Sequence, residues 1–160
     1  MSLKNSPLKI AKFIQSRGLC GPASLKIALS YFKQNFSENR LADLAKASRK
    51  KGTEHSGMIA AARAVGAKIV VKQNSTLADL RRLILRKRRP VIVGWYDKSG
   101  KEGDHYSVVY HLSPHYIYLM DPATKTGFRK MSIDNFMRHW YDFEGVKNNK
   151  IHRWFMDIDF

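Results

Sequence analysis

Apolar residues recur along this chain with two different periods, and the change of period divides it. Over residues 23–36 the apolar side chains Leu25, Ile27, Ala28, Leu29, Tyr31 and Phe32 surround a largely buried helix. A second helix is expected over 40–49, where Leu41, Leu44, Ala45 and Ala47 repeat, and a third over 55–65. Gly66 follows the third where a left-handed C-terminal cap wants a glycine. Residues 76–87 form a fourth, opened by Thr76 and Asp79 at the spacing of a capping box, with Leu80, Leu83 and Ile84 facing inward. Beyond that point the period shortens. Segments 68–73, 90–96, 105–112 and 116–121 are rich in Val, Ile and Tyr and bounded by Gly, Pro, Asp and Ser, as strands are. Two more strands are expected over 128–131 and 151–158, with a short helix over 132–140 between them.

Helices first and antiparallel strands afterwards predict an α+β domain of two lobes with a cleft between them. A chain of 160 residues suffices for one domain with a real core. With no repeat or linker, residues 1–160 read as a single domain, its helical lobe over about 1–88 and its sheet lobe over about 89–160. An apolar content of 44% excludes a disordered chain. No apolar run approaches the ~18–20 residues that cross a bilayer. The N-terminal stretch lacks the apolar core and cleavage site of a signal peptide, so a cytoplasmic location is expected.

Charge changes the picture in one respect. With 29 Lys+Arg against 13 Asp+Glu the net charge is +16, a field that attracts polyanions: nucleic acid, anionic lipid or an acidic partner. The densest cluster, Arg81, Arg82, Arg86, Lys87, Arg88 and Arg89, falls on the fourth helix, where a solvated face explains it without a ligand. No nucleic-acid motif accompanies it.

The candidate chemistry lies elsewhere. Cys20 is the only cysteine, which excludes a disulfide framework and a Cys-rich zinc module. Pro22 loses nothing in a first helical turn, so Cys20-Gly21-Pro22 reads as a helix start. There the sulfur meets the positive end of the helix dipole, which favours the nucleophilic thiolate. Gly21 would permit a substrate backbone to approach the sulfur. His105 opens a strand after the polar loop 98–104 and suits a general base. Asp121 ends the next strand, just before Pro122. Antiparallel pairing through the Ser113-Pro114 turn brings it to His105, where a carboxylate fixes the tautomer and stabilises the imidazolium. Gln15, five residues before Cys20, is a candidate oxyanion donor together with the Cys20 N–H. The other histidines, His55, His111, His115, His139 and His152, read as ordinary surface residues. His111 and His115 flank a turn without a supporting carboxylate or cysteine cluster, so neither metal nor cofactor is expected.

Taken together, these motifs resemble the bacteriocin-processing, double-glycine-leader peptidase family of the papain-like cysteine peptidases. The likeness rests on Gln15 with four residues before Cys20-Gly21-Pro22-Ala23, His105-Tyr106 opening a valine-rich strand, and Asp121-Pro122 closing the next. Gly52-Thr53, the helix running to Gly66, the strand after Pro90 and the helix at Phe136 follow in the family's order, so it extends over nearly the whole chain. It implies a papain-like fold, a peptide or protein substrate, no cofactor, Cys20 as nucleophile, His105 as base, Asp121 as orienting acid and Gln15 in the oxyanion hole. Two features depart from the pattern. Leu19 stands where the family commonly has an aspartate, and this chain carries neither the membrane spans nor the phosphate-binding loop of members that are exporter domains. Two other functions suit the same residues: acyl transfer to an amine, as in transglutaminases and arylamine acetyltransferases, and polyanion binding on a peptidase scaffold. Gln15 and the Cys20-Gly21-Pro22 context favour peptide hydrolysis through an acyl-enzyme.

Overall fold

Helices open the chain, as its 3.6-residue period requires. The structure is a computed structural model that describes residues 6–99 and 103–160; residues 100–102 of the expected polar loop lie outside the described residues. Helix α1 (Cys20–Ser30) begins at Cys20 itself, because Gly21 and Pro22 occupy the first turn, where free N–H groups need no partner. It stops at Ser30 rather than Phe36, and the chain then turns through Lys33 with φ of 57°. Ser37 caps α2 (Glu38–Ala45) by accepting from Arg40 N, and Lys46 ends it in the left-handed conformation. Helix α3 (His55–Ala64) ends at Gly66, whose φ of 89° is the conformation expected of that glycine. The expected capping box is present in α4 (Leu77–Arg81), with both of its hydrogen bonds, and the helix continues as a π-helical turn through Arg86. Ser132 caps α5 (Ile133–His139).

The strands are β1 (Lys68–Lys72), β2 (Val91–Asp97), β3 (Gly103–Leu112), β4 (Tyr116–Met120), β5 (Phe128–Ser132), β6 (Tyr141–Glu144), β7 (Asn149–His152) and β8 (Trp154–Asp159). Six of them form one antiparallel sheet in the order β1-β8-β2-β3-β4-β5, and β6-β7 is a separate hairpin. Two expectations are corrected here. The sheet is not confined to residues after 88, because β1 leaves the helical half and pairs with β8 at the edge. The single strand expected over 151–158 is broken at Arg153, whose φ of 51° ends the hairpin and starts β8. Strand β6 was not anticipated at all.

Helix α1 packs against β2 and β3, and its Leu25 and Ile27 are buried in one core with Val91, Val93, Val108 and Val109. Helix α5 packs on β2, β4 and β5, and its Phe136 meets Trp95 and Trp140. Trp95 Nε1 donates to Ser107 Oγ (3.0 Å) and Trp140 Nε1 to the Trp154 carbonyl (3.0 Å), so neither ring buries an unpaired donor. Several arginines of the dense basic cluster hold the fold together. Arg81 donates to the carbonyls of Ser113 and Pro114, Arg88 to that of Ser6, and Arg89 pairs with Asp157 and Asp159. Among the described residues no helix is long and apolar enough to cross a membrane.

Helices α2 and α3 approach closely, since a Cβ at Gly57 would lie 2.3 Å from the Ala45 carbonyl oxygen. The substitution Gly57→Ala is expected to force the pair apart and cost about 1–3 kcal/mol, read as a lower urea midpoint at unchanged slope. An unaltered midpoint would show that the crossing has room to spare.

Candidate active site

Cys20 is the first residue of α1, with a free thiol only 6% exposed. Leu19 precedes it at the N-cap without a capping hydrogen bond. Gly21 has a different reason from the one its sequence suggests. A Cβ there would fall 2.8 Å from the Thr53 side chain and 2.9 Å from Met58 Sδ, so the glycine lets the start of α1 seat against α3 and the segment before it. Packing within the protein accounts for it.

His105 lies on β3 opposite Trp95 and is 4% exposed. Its Nε2 is 2.6 Å from Asp121 Oδ1, and the Cys20 sulfur is close enough to the ring to raise its basicity. Strands β3 and β4 run antiparallel with an irregularity between Val109 and His111, and Asp121 follows the end of β4. The pairing expected from the sequence is therefore the one that brings Asp121 to His105.

Asp121 is fully buried and is held on all sides. Its Oδ1 also accepts from Ala123 N (3.0 Å), and its Oδ2 accepts from Arg129 Nε (2.7 Å). Arg129 reaches onward to Asp97 Oδ2 (3.0 Å), and its guanidinium lies 5.2 Å from the centre of the Trp95 ring. Trp95 in turn stands edge-on to His105. Arg129 is a residue that sequence reasoning missed. Its signal was the hairpin register, which pairs it with Leu119, two residues before Asp121.

The electrostatics of the pair agree in sign. Burial pulls the His105 imidazole down, but hydrogen bonds to Asp121 and Cys20, and their negative charge, raise it to about 10. Burial pushes Asp121 up, yet the bond and charge of His105, the Ala123 N–H and the Arg129 cation hold it below the usual carboxylate range. Each member favours the charged form of the other.

Gln15 donates its backbone N–H to the Pro122 carbonyl (2.9 Å), which ties the segment before α1 to the turn after Asp121. Gln15 lines a cavity of about 420 Å³ together with His105, Ala123 and Arg129, and its Oε1 is buried without a hydrogen-bond partner among the described residues. A second cavity, of about 400 Å³, is lined by Cys20, Thr53, Asp104, Tyr106 and again His105. Gln15 and Cys20 thus flank one imidazole from two adjoining hollows.

His55 contradicts its reading as a surface residue. It is 8% exposed at the start of α3, with Nε2 2.6 Å from Asp142 Oδ2 and its ring stacked on Trp154 at 4.0 Å. Its backbone N–H donates to the Glu144 carboxylate (3.2 Å). One ligand atom from each of His55, Asp142 and Glu144 lies within 4.8 Å of the others. Two ligands of a tetrahedral zinc ion sit roughly 3.4 Å apart, whereas the His55–Asp142 separation of 2.6 Å is that of a hydrogen bond. Asp142 and Glu144 alternate along β6, so the missed signal was a period of two in a segment not read as a strand. His111, half-buried, and His115, exposed, take no part in this group.

The chain resembles known proteins in both sequence and fold. The model of the Peptidase C39 family matches residues 14–144. The mesentericin-Y105 transport/processing ATP-binding protein MesD of Leuconostoc mesenteroides is 33% identical over 122 residues, covering 76% of this chain. The matched stretch is 16% of that relative's length. In fold, the chain is similar to the peptidase domain of Streptococcus ComA, with a TM-score of 0.69 at 24% identity over 94% of this chain and 97% of that one. It is also similar to a double glycine motif protease from an AMS/PCAT transporter in complex with the leader peptide, with a TM-score of 0.70 at 20% identity over 96% and 93% of the two chains. The expected α+β, papain-like architecture is the one these domains share.

The Asp121–Arg129 contact yields a prediction with a definite pH dependence. Asp121 is depressed in the folded protein, so its ion pairs stabilise above the ordinary carboxylate value of 3.8 and fade as pH falls through the lower folded value. Arg129→Leu strands a buried carboxylate and is expected to lose about 3 kcal/mol at neutral pH. The difference from wild type should shrink in acid, followed by denaturant unfolding across pH. A deficit independent of pH would mean that Arg129 acts by packing alone.

Proposed function

We propose that this chain, which belongs to the Peptidase C39 family and is a cysteine peptidase, cleaves its substrate with Cys20 as nucleophile, His105 as acid and base, Asp121 as the orienting carboxylate and Gln15 as an oxyanion donor. The observation that carries this reading is the bond of 2.6 Å between His105 Nε2 and Asp121, with the Cys20 sulfur beside the ring. With His105 holding its proton to about 10, the ring beside the Cys20 sulfur is an imidazolium. The sulfur attacks the peptide carbonyl, and the carbonyl oxygen takes up the negative charge. The Gln15 amide and the first-turn N–H of Cys20 donate to that oxygen. His105 passes its proton to the departing amine, leaving a thioester on Cys20. Water then gives a proton to the neutral imidazole and adds to the thioester; the acid leaves, freeing the sulfur beside the protonated ring. Asp121 keeps the ring oriented and its charge compensated throughout.

The substrate class that the family supports is a peptide cut after two consecutive glycines, the kind of leader named for the related transporter protease. Hydrolysis rather than transfer to an amine is the expected outcome, so the products are a new carboxyl terminus and a new amino terminus.

Two experiments test this. Iodoacetamide should alkylate Cys20 at a rate that changes little from about pH 6 to about pH 8, and His105→Ala should restore the steep rise of an ordinary thiol. Equal profiles would remove the imidazole from the mechanism. On double-glycine peptides, with products read by mass, Cys20→Ala should abolish cleavage, Gln15→Ala should lower kcat by ~10²–10³ and Asp121→Asn by up to ~10⁴. Replacing either glycine of the peptide by valine should stop cleavage, and products carrying only an added amine would reject hydrolysis.

A further inference from the structure

The cavity beside Cys20 has an acidic wall. Glu54, Asp104, Asp142 and Glu144 all line it, so four of the chain's 13 acidic residues meet around one hollow in a protein of net charge +16. Among the described residues, the ion pairs that Lys and Arg make go to Asp79, Asp97, Asp121, Asp157 and Asp159, and to none of these four. Among the described residues, the one basic side chain in ion-pair range of this group is His55, which meets Asp142 and Glu144. Burial and the charge of Asp142 push Asp104 up, and burial does the same to Glu144, as expected of acids that lack a full counter-charge.

Asp142 supplies the second observation. Its side chain is 4% exposed and gives Oδ2 to His55, while Oδ1 is buried with no hydrogen-bond partner among the described residues. A buried carboxylate oxygen with nothing to accept from calls for an explanation, and a donor arriving with the substrate supplies one. The fold also makes room for the pair. A Cβ at Gly94 in β2 would lie 2.5 Å from Asp142 Oδ2, so a glycine in an otherwise bulky strand is what admits the carboxylate. Tyr106 and Phe143 line the same cavity and offer aromatic surface suited to the alkyl stem of a long cationic side chain. Arg49, Lys50 and Lys51 line the same cavity but are exposed, and they disfavour a run of positive residues over a single one.

We infer that Asp104, Asp142 and Glu144 form a specificity subsite for one lysine or arginine side chain of the peptide substrate, close to the bond that Cys20 attacks. This rests on the peptidase reading of Cys20 and adds a substrate preference to it. The ammonium or guanidinium donates to the open oxygen of Asp142 and to the carboxylates of Glu144 and Asp104, and the stem lies along the rings.

The test uses Cys20→Ala protein and double-glycine peptides that carry, at each flanking position in turn, either lysine or norleucine. Calorimetry should show one position at which lysine binds at least ~10-fold tighter, the range of a charge-assisted hydrogen bond. Glu144→Gln and Asp104→Asn, both on accessible side chains, should each remove most of that advantage while leaving the norleucine peptide's affinity unchanged. Absence of a lysine advantage at every position, or its survival in both variants, would overturn the subsite. So would stoichiometric uptake of Zn²⁺ by chelator-treated protein that Glu144→Gln abolishes, if lysine gains nothing. Wild-type protein that binds these peptides with the lysine preference but cuts none of them would instead remove the mechanism at Cys20 and leave the subsite standing.

Discussion

A carboxylate with no exposure to water holds this site together. Asp121 is ionised in the interior, which is tolerable only because His105, Ala123 and Arg129 between them occupy both of its oxygens. The requirement explains much of the surrounding architecture. Strand β3 brings the imidazole, the turn after β4 brings the acid, β5 brings the guanidinium, and β2 brings Trp95 and Asp97 to fix that guanidinium in turn. Four consecutive strands of one sheet are thus committed to a single negative charge, and a shift in register of any one would break the set.

The nucleophile is delivered by different means. Helix α1 presents Cys20 at its first residue, and the absence of a side chain at Gly21 lets Thr53 and Met58 close against that end. The sulfur is therefore placed by helix packing and the imidazole by strand pairing. The two halves of the molecule meet at the ring of His105, which borders both hollows of the cleft.

Much of this was legible because it is local. The helix start at Cys20-Gly21-Pro22, the capping box at Thr76 and the Gly66 stop each depend on neighbouring residues alone. The approach of Asp121 to His105 was legible for a related reason, since one short turn joins their strands. What escaped involves distant partners. Strand β1 finds β8 across 80 residues or more, and His55 finds Asp142 across 87. Arg129 sits in a strand of alternating exposure, where an arginine normally faces water and nothing in its neighbours marks it otherwise. The break at Arg153 was hidden as well, because a left-handed conformation at a residue other than glycine leaves little trace in composition.

The segment before α1 carries one further implication. Gln15 is laced by its own main chain to the Pro122 carbonyl, immediately beyond the acid that steadies the imidazole. The amide proposed to receive charge from the substrate and the carboxylate beneath the ring therefore share one strap. Any breathing that widened the gap between helices and sheet at this end must first undo that strap, and it would disassemble both in one movement rather than leave either intact.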